Sequence, residues 1–135
     1  MPTHFHILVS DEQNYSSKYI QNVLDSYSKY FNAKHKRKGP LWQSRSKKLL
    51  VDNDNYFIHL TRYIHLNPVT AFLVNRPEEW NYSSYKEYLN GEENICKFIK
   101  YFPENYDFKG EYHRFVEDRA DYQKKLAEIK HILIE

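Results

Sequence analysis

Residues 56–69, YFIHLTRYIHLNPV, carry the strongest structural signal in the chain. Residues 53–55, Asn-Asp-Asn, precede the stretch and are of the type that caps the start of a helix. Its apolar residues recur at spacings of three and four, as in a buried helical stripe: Phe57, Leu60 and Ile64. Pro68 lacks an N–H and disfavours helical angles in the residue before it, so we expect the helix to stop there.

A second stripe on this helix is polar. His59, Tyr63 and Asn67 lie four residues apart, which puts an imidazole, a phenol and an amide on one face. This face is a candidate active-site wall. The alternative interpretation is structural, because Tyr63 is one of thirteen tyrosines and Asn67 is suited to the end of a helix.

Composition restricts the class of protein. A chain of 135 residues is long enough for one domain with one core. It contains no apolar run of membrane-spanning length, and residues 1–10 lack the features of a signal peptide. Cys96 is the only cysteine, which excludes an internal disulfide framework. We therefore expect a cytoplasmic protein with no membrane partner.

The net charge is only +2, but the basic residues are concentrated between positions 34 and 48. Seven of the twenty lysines and arginines lie there, with no acidic residue among them. With the neighbouring Trp42 and Gln43 they form a candidate surface for phosphates and unpaired bases: Lys34, Lys36, Arg37, Lys38, Arg45, Lys47 and Lys48. The many aromatic residues equally suit a tyrosine-rich core. As a structural alternative, the charge run is a solvated helix end.

Residues 3–10, THFHILVS, are typical of a short strand. On a strand, His4 and His6 project from the same face, where two neutral imidazoles can share one metal ion. The alternative is a pair of ordinary surface histidines.

The remaining sequence predicts mainly helices and loops. Residues 15–36 predict an amphipathic helix, 41–52 a strand or extended loop, and 80–89 a short helix or capped turn. Residues 90–110 read as mostly loop around a short segment at 95–102. From 111 to 134 the period is helical, with one apolar seam that packs on the core more simply than on a second chain: Tyr122, Leu126, Ile129 and Leu133.

Three segments together resemble a known family. They are MPTHFHILV at the start, GPLWQSRSKKLLVDNDNYFIHLTRYIHLNPVTAFLV in the middle, and RPEEWNYSSYKEYL after it. In this order the chain resembles the REP-associated tyrosine transposases, a branch of the single-tyrosine HUH transposases. The resemblance covers about residues 1–90.

The resemblance implies an α+β fold. A small antiparallel sheet of the ferredoxin-like HUH type would pack with helices in a catalytic domain at residues 1–90. Residues 91–135 would form a mostly helical C-terminal extension. Family members carry a strand, a helix and a strand before the HUH strand, whereas here Met1 lies three residues before the first histidine. The resemblance therefore implies an incomplete sheet, and pairing of its exposed edge in a homodimer is one expectation.

The resemblance also implies roles for individual residues. His4 and His6 match the HUH histidines, Tyr63 matches the nucleophile, and Asn67 matches the third ligand of a Mg²⁺ or Mn²⁺ ion. The implied reaction cleaves and rejoins single-stranded or hairpin DNA through a 5′-phosphotyrosine link, with no nucleotide cofactor. Two alternatives are a non-catalytic protein that binds single-stranded or hairpin DNA, and a structural remnant with no partner.

Overall fold

A computed structural model describes residues 1–91, 98, 100–120 and 122–124. Its helical elements lie in the following order: α1 (Ser16–Lys34), α2 (Asp54–Thr70), a 3₁₀ turn (Pro77–Glu79), α3 (Tyr85–Asn90), a π-helix (Phe108–Tyr112) and α4 (His113–Glu117).

The predicted antiparallel sheet is wrong, and with it the α+β class. None of the described residues lies in a strand. Residues 3–10 are irregular, and residues 41–52 adopt the extended-loop alternative with bends. A strand is stable only when its backbone N–H and C=O groups pair with a neighbouring strand. Local composition favoured a strand at 3–10, but the described chain supplies no partner for it.

The chain divides into two compact units. One contains the described residues of Met1–Phe5 and Leu50–Glu135, and the other contains His6–Leu49. The first holds α2 and the described elements that follow it, and the second holds α1 and the basic segment.

Helix α1 confirms the helix predicted at 15–36. The Asp11 carboxylate accepts hydrogen bonds from the backbone N–H groups of Tyr15 and Ser16, at 2.9 and 2.8 Å. The bonds from Ser16 hold the pKa of Asp11 below its ordinary value. None of the residues of α1 is fully buried. Trp42 packs beside it, with its ring centroid 5.9 Å from that of Tyr27 and its indole N–H donating to the Leu24 carbonyl at 3.4 Å.

Helix α2 begins as predicted and ends later than predicted. The Asn53 side-chain oxygen accepts a hydrogen bond from the Tyr56 N–H at 2.7 Å, which confirms the N-cap. The helix continues through Pro68 to Thr70. Pro68 lies within the last turn, where its missing N–H removes one hydrogen bond. Its side chain is buried, and its carbonyl accepts a hydrogen bond from the Leu73 N–H at 3.0 Å, so packing and the following turn offset the loss.

The buried face of α2 differs from the predicted stripe. Phe57 is buried, but Leu60 and Ile64 are only half-buried. The residues that follow Phe57 at spacings of four are buried, together with Leu66, Asn67 and Pro68 near the end of the helix: Thr61, His65 and Val69. A threonine and a histidine are therefore buried where the predicted stripe had Leu60 and Ile64, one residue earlier in each case.

The core of this unit is aromatic. Tyr88 stacks on Tyr112 with ring centroids 5.3 Å apart, and Phe102 meets Phe108 edge to face at 4.9 Å. Tyr85 and Tyr112 have no exposed surface. Several of the abundant tyrosines therefore lie in the core, as the structural alternative for the aromatic residues predicted.

Two further elements of this unit begin just after Ser84 and just after Asp107. Helix α3 is the short helix predicted within 80–89, and Ser84, which precedes it, makes no side-chain capping hydrogen bond. The Asp107 carboxylate accepts a hydrogen bond from the Gly110 N–H at 3.0 Å and so caps the π-helix.

Of the predicted C-terminal seam, only Tyr122 is described; Leu126, Ile129 and Leu133 lie outside the described residues. Within the described part of the chain, every helix is too short or too polar to cross a bilayer.

Candidate functional site

Tyr63 and Asn67 occupy one face of α2, separated by a single helical turn. The Tyr63 side chain is 46% exposed, whereas Asn67 retains only 8% of its accessible surface. Solvent therefore reaches the Tyr63 side chain, whereas the Asn67 side chain is buried. The predicted nucleophile and oxygen ligand are brought to one side of a rigid element.

His59, the third member of the polar stripe, is held by Arg62. One Arg62 amino group lies 2.9 Å from His59 Nδ1. A guanidinium can only donate, so Nδ1 accepts this hydrogen bond. The other amino group donates to the Phe115 carbonyl at 3.3 Å, and the guanidinium carbon lies 4.1 Å from the centroid of the Phe115 ring. Burial lowers the pKa of Arg62, and Arg119 adds to the effect. Arg62 thereby holds His59 and links α2 to α4.

His65 connects three elements, and sequence reasoning missed it. Its Nδ1 lies 2.7 Å from the Tyr112 hydroxyl and its Nε2 lies 3.0 Å from the Ser84 hydroxyl. The imidazole also meets the Tyr88 ring edge to face at 4.8 Å. His65 therefore ties α2 to the π-helix and to the start of α3. The only indication in the sequence that His65 is buried was its spacing of four residues from Thr61. The apolar stripe of Phe57, Leu60 and Ile64 predicted a different buried face.

Burial determines the charge of this network. It lowers the pKa of His65 to about 3, and it raises the pKa of Tyr112 well above the ordinary value. At neutral pH the imidazole is uncharged, so one ring nitrogen donates and the other accepts. An uncharged, fully hydrogen-bonded histidine in the core stabilises the helix packing and is unsuited to act as a base for surface chemistry.

The two predicted HUH histidines lie in the irregular N-terminal segment. Both side chains are exposed, and His4 Nδ1 lies 3.1 Å from the Thr3 hydroxyl. His4 belongs to the same compact unit as Tyr63 and Asn67, and His6 is the first residue of the other unit. Two imidazoles and an amide oxygen are a donor set that suits a divalent ion. The chemistry of the set therefore fits, but no strand fixes the two histidines on one face.

The basic segment is solvent-accessible over most of its length. The side chains predicted to bind DNA are exposed except for Trp42, which is half-buried against α1. Arg37 is partly committed to structure, because its guanidinium donates to the Asn32 side-chain oxygen at 3.2 Å and to the Pro40 carbonyl at 3.3 Å. The Lys48 ammonium donates to the Ser17 hydroxyl. The exposed cations are thus held on one compact unit together with α1.

Comparisons of the chain with protein-family models, curated proteins and solved structures found no match.

Proposed function

We propose that this protein is a metal-dependent tyrosine nuclease and strand transferase that acts on single-stranded or hairpin DNA. One observation carries the proposal: the half-exposed phenol of Tyr63 lies one turn before Asn67 on the same face of α2. The resemblance of the surrounding motifs to the REP-associated tyrosine transposases supplies the class of reaction. A cytoplasmic location is part of the proposal.

In the proposed reaction, Tyr63 Oη forms a bond to the phosphorus of a DNA phosphodiester. The bond from phosphorus to the 3′ oxygen breaks, the phenol proton passes to solvent, and the departing oxygen takes up a proton as a 3′-hydroxyl. A 3′-hydroxyl of another strand reverses the step and releases the tyrosine. The phosphotyrosine link conserves the phosphodiester energy, so no nucleotide cofactor is needed.

The residues that would hold the metal are His4, His6 and Asn67. A bound Mg²⁺ or Mn²⁺ ion would act as a Lewis acid on the scissile phosphate. Asn67 contributes from the rigid helix, and its low exposure limits the positions that its amide can adopt. The histidines would have to be brought to the phosphate by the irregular N-terminal segment.

The basic segment supplies the proposed affinity for DNA. Exposed lysines and arginines that contact phosphates give binding that is independent of sequence and weakens with salt. Trp42 lies between Lys38 and Arg45 in sequence, and it is half-buried. We therefore assign most of the proposed DNA affinity to the charges and less to stacking on the indole ring.

A second candidate function is non-catalytic binding of single-stranded or hairpin DNA. The irregular backbone around His4 and His6 favours it, because these histidines are not fixed by a sheet. Binding by the basic segment does not require them. The two candidates differ in one chemical property, the covalent link to Tyr63.

A covalent-capture assay tests the proposal. Purified protein is mixed with labelled single-stranded and hairpin oligonucleotides and Mn²⁺, and the products are separated on a denaturing gel. The expected result is an adduct that is lost with a chelator and in Tyr63→Phe. Tyr56→Phe is the matched control, because Tyr56 lies on the same helix and is 36% exposed. An adduct that persists in Tyr63→Phe would remove this tyrosine from the role. Retained binding with no adduct would favour the second candidate.

A further inference from the structure

A second group of potential metal ligands lies apart from the polar face of α2. Glu78 comes from the 3₁₀ turn, and His113 and Glu117 come from α4. His113 Nε2 is 3.2 Å from Glu78 Oε1, and His113 Nδ1 is 3.4 Å from Glu117 Oε2. One ligand atom from each residue lies within 4.8 Å of the other two.

The local backbone presents these side chains together. His113 and Glu117 are one turn apart, so both project from the same side of α4. Glu78 lies between Pro77, which opens the 3₁₀ turn, and Glu79, whose carboxylate accepts hydrogen bonds from the backbone N–H groups of Asn75 and Arg76. The ligand group thus joins segments that are 35 residues apart in sequence.

One of these separations is close to that expected around one ion. Ligand atoms about 2.0–2.2 Å from a tetrahedral ion are about 3.3–3.5 Å apart. The 3.2 Å between Glu78 Oε1 and His113 Nε2 is close to this spacing, whereas the contact with Glu117 is made by the other imidazole nitrogen. Glu117 is about half-exposed, so its side chain can turn toward the ion. Only one imidazole nitrogen can ligate, and the other then donates to a carboxylate or to water, as in many metal sites.

Two buried polar atoms remain without a hydrogen-bond partner in the described part of the chain, so the hydrogen bonds within the group do not satisfy all of its polar atoms. Glu78 Oε2 and the Tyr85 hydroxyl are both inaccessible to solvent, and neither has a hydrogen-bond partner among the described residues. Burial raises the pKa of Tyr85, and the negative charges of Glu78 and Glu117 raise it further. Buried polar groups are normally paired, and an ion with a bound water would supply the missing partners.

We infer that Glu78, His113 and Glu117 form a binding site for a late first-row divalent cation such as Zn²⁺. Two carboxylates and one imidazole are nitrogen and oxygen donors of the type that this ion accepts. Three protein ligands leave a fourth position for water. The bound ion would link the 3₁₀ turn to α4 and stabilise the unit that contains α2. The inference does not depend on the role proposed for Tyr63.

Calorimetric titration with Zn²⁺ tests the inference in a protein that carries His4→Ala and His6→Ala. These substitutions remove the histidines of the proposed catalytic site, so that the two metal sites are distinguished. The expected result is one Zn²⁺ per chain, with affinity reduced at least tenfold by Glu78→Gln, Glu117→Gln or His113→Ala. Glu87→Gln is the matched control, because Glu87 also has a buried carboxylate oxygen without a partner in the described structure.

Thermal unfolding supplies a second measurement on the same proteins. Zn²⁺ is expected to raise the unfolding midpoint of the His4→Ala, His6→Ala protein and to leave that of the Glu78→Gln derivative unchanged. The Gln variants keep the size of the side chain, so they carry the test if His113→Ala does not fold. Equal Zn²⁺ affinity with and without the three ligands would overturn the inference, as would the absence of binding tighter than about 100 µM.

Discussion

His65 Nδ1 lies 2.7 Å from the hydroxyl of Tyr112, and both side chains are buried. This hydrogen bond joins α2 to the π-helix, and a second bond from the same imidazole reaches Ser84 before α3. The helix that carries Tyr63 is therefore fixed from its opposite side by one uncharged histidine. The first two predictions concern this network.

The stability of the fold is expected to decrease as the pH falls below about 6.5. Burial lowers the pKa of His65 to about 3 in the folded protein, whereas an unperturbed histidine titrates near 6.5. Between these values the unfolded state binds one more proton, so protonation favours unfolding. The expected loss is about 2 kcal/mol between pH 7 and pH 5. Urea unfolding at pH 5, 6 and 7 measures it, and an NMR titration in which His65 protonates near pH 6.5 would contradict the explanation.

Tyr112→Phe is expected to destabilise the protein by about 1–3 kcal/mol, because it leaves a buried nitrogen of His65 without its partner. Tyr82→Phe is the matched control: Tyr82 is 85% exposed, and its change is expected to stay within about 0.5 kcal/mol. Urea unfolding at pH 7 compares the two variants. Equal stabilities would mean that the Tyr112 hydroxyl contributes nothing to the core.

Gly110→Ala is expected to destabilise the protein by about 1 kcal/mol, the usual effect of losing a helix cap. A Cβ at this position would collide with the Asp107 carboxylate, which caps the π-helix through the Gly110 N–H. Asp107→Ala removes the same cap without the collision. The double variant should therefore be less destabilised than the sum of the single variants. Strict additivity in urea unfolding would show that the two residues act independently.

Lys36→Ala combined with Lys38→Ala is expected to weaken binding to single-stranded DNA and to reduce its salt dependence. Both side chains are exposed, and Arg37 is avoided because its guanidinium holds the loop. Loss of two phosphate contacts would lower the slope of log K against log salt concentration by about 1.4. Fluorescence anisotropy at several salt concentrations measures the slope. Lys86→Ala with Lys109→Ala removes the same charge from the other unit, and an equal effect there would exclude a specific role for the basic segment.

The sequence predicted the helices better than the sheet. Helical period and the cap at Asn53 are local signals, so α1 and the start of α2 were found from nearby residues alone. A strand depends on a partner elsewhere in the chain, and the strand expected at residues 3–10 came from local composition and from the resemblance. Continuation of α2 through Pro68 was missed because packing and the following turn offset the lost hydrogen bond.

The candidate sites follow the same rule. Relationships between residues close in sequence were predicted, and those between residues far apart in sequence were not. The spacing of Tyr63 and Asn67 predicted their common face of α2, as the structure confirms. The role of His65 depends on a tyrosine 47 residues later, which no local pattern indicates. His113 and Glu117 stand at a helical spacing visible in the sequence, but Glu78 joins them only through the fold.

Mass spectrometry of the captured protein tests the proposed function most directly. Trypsin cleaves after Arg62, so Tyr56 and Tyr63 fall in different peptides. After incubation with single-stranded or hairpin DNA and Mn²⁺, followed by nuclease digestion, fragment ions locate any nucleotide that remains attached. The account predicts a 5′-phosphate link on Tyr63 and none on the exposed Tyr82, which remains in the Tyr63 peptide when the Arg76–Pro77 bond is not cut. Attachment to any other tyrosine, or a cleaved DNA strand with no attached residue, would contradict it.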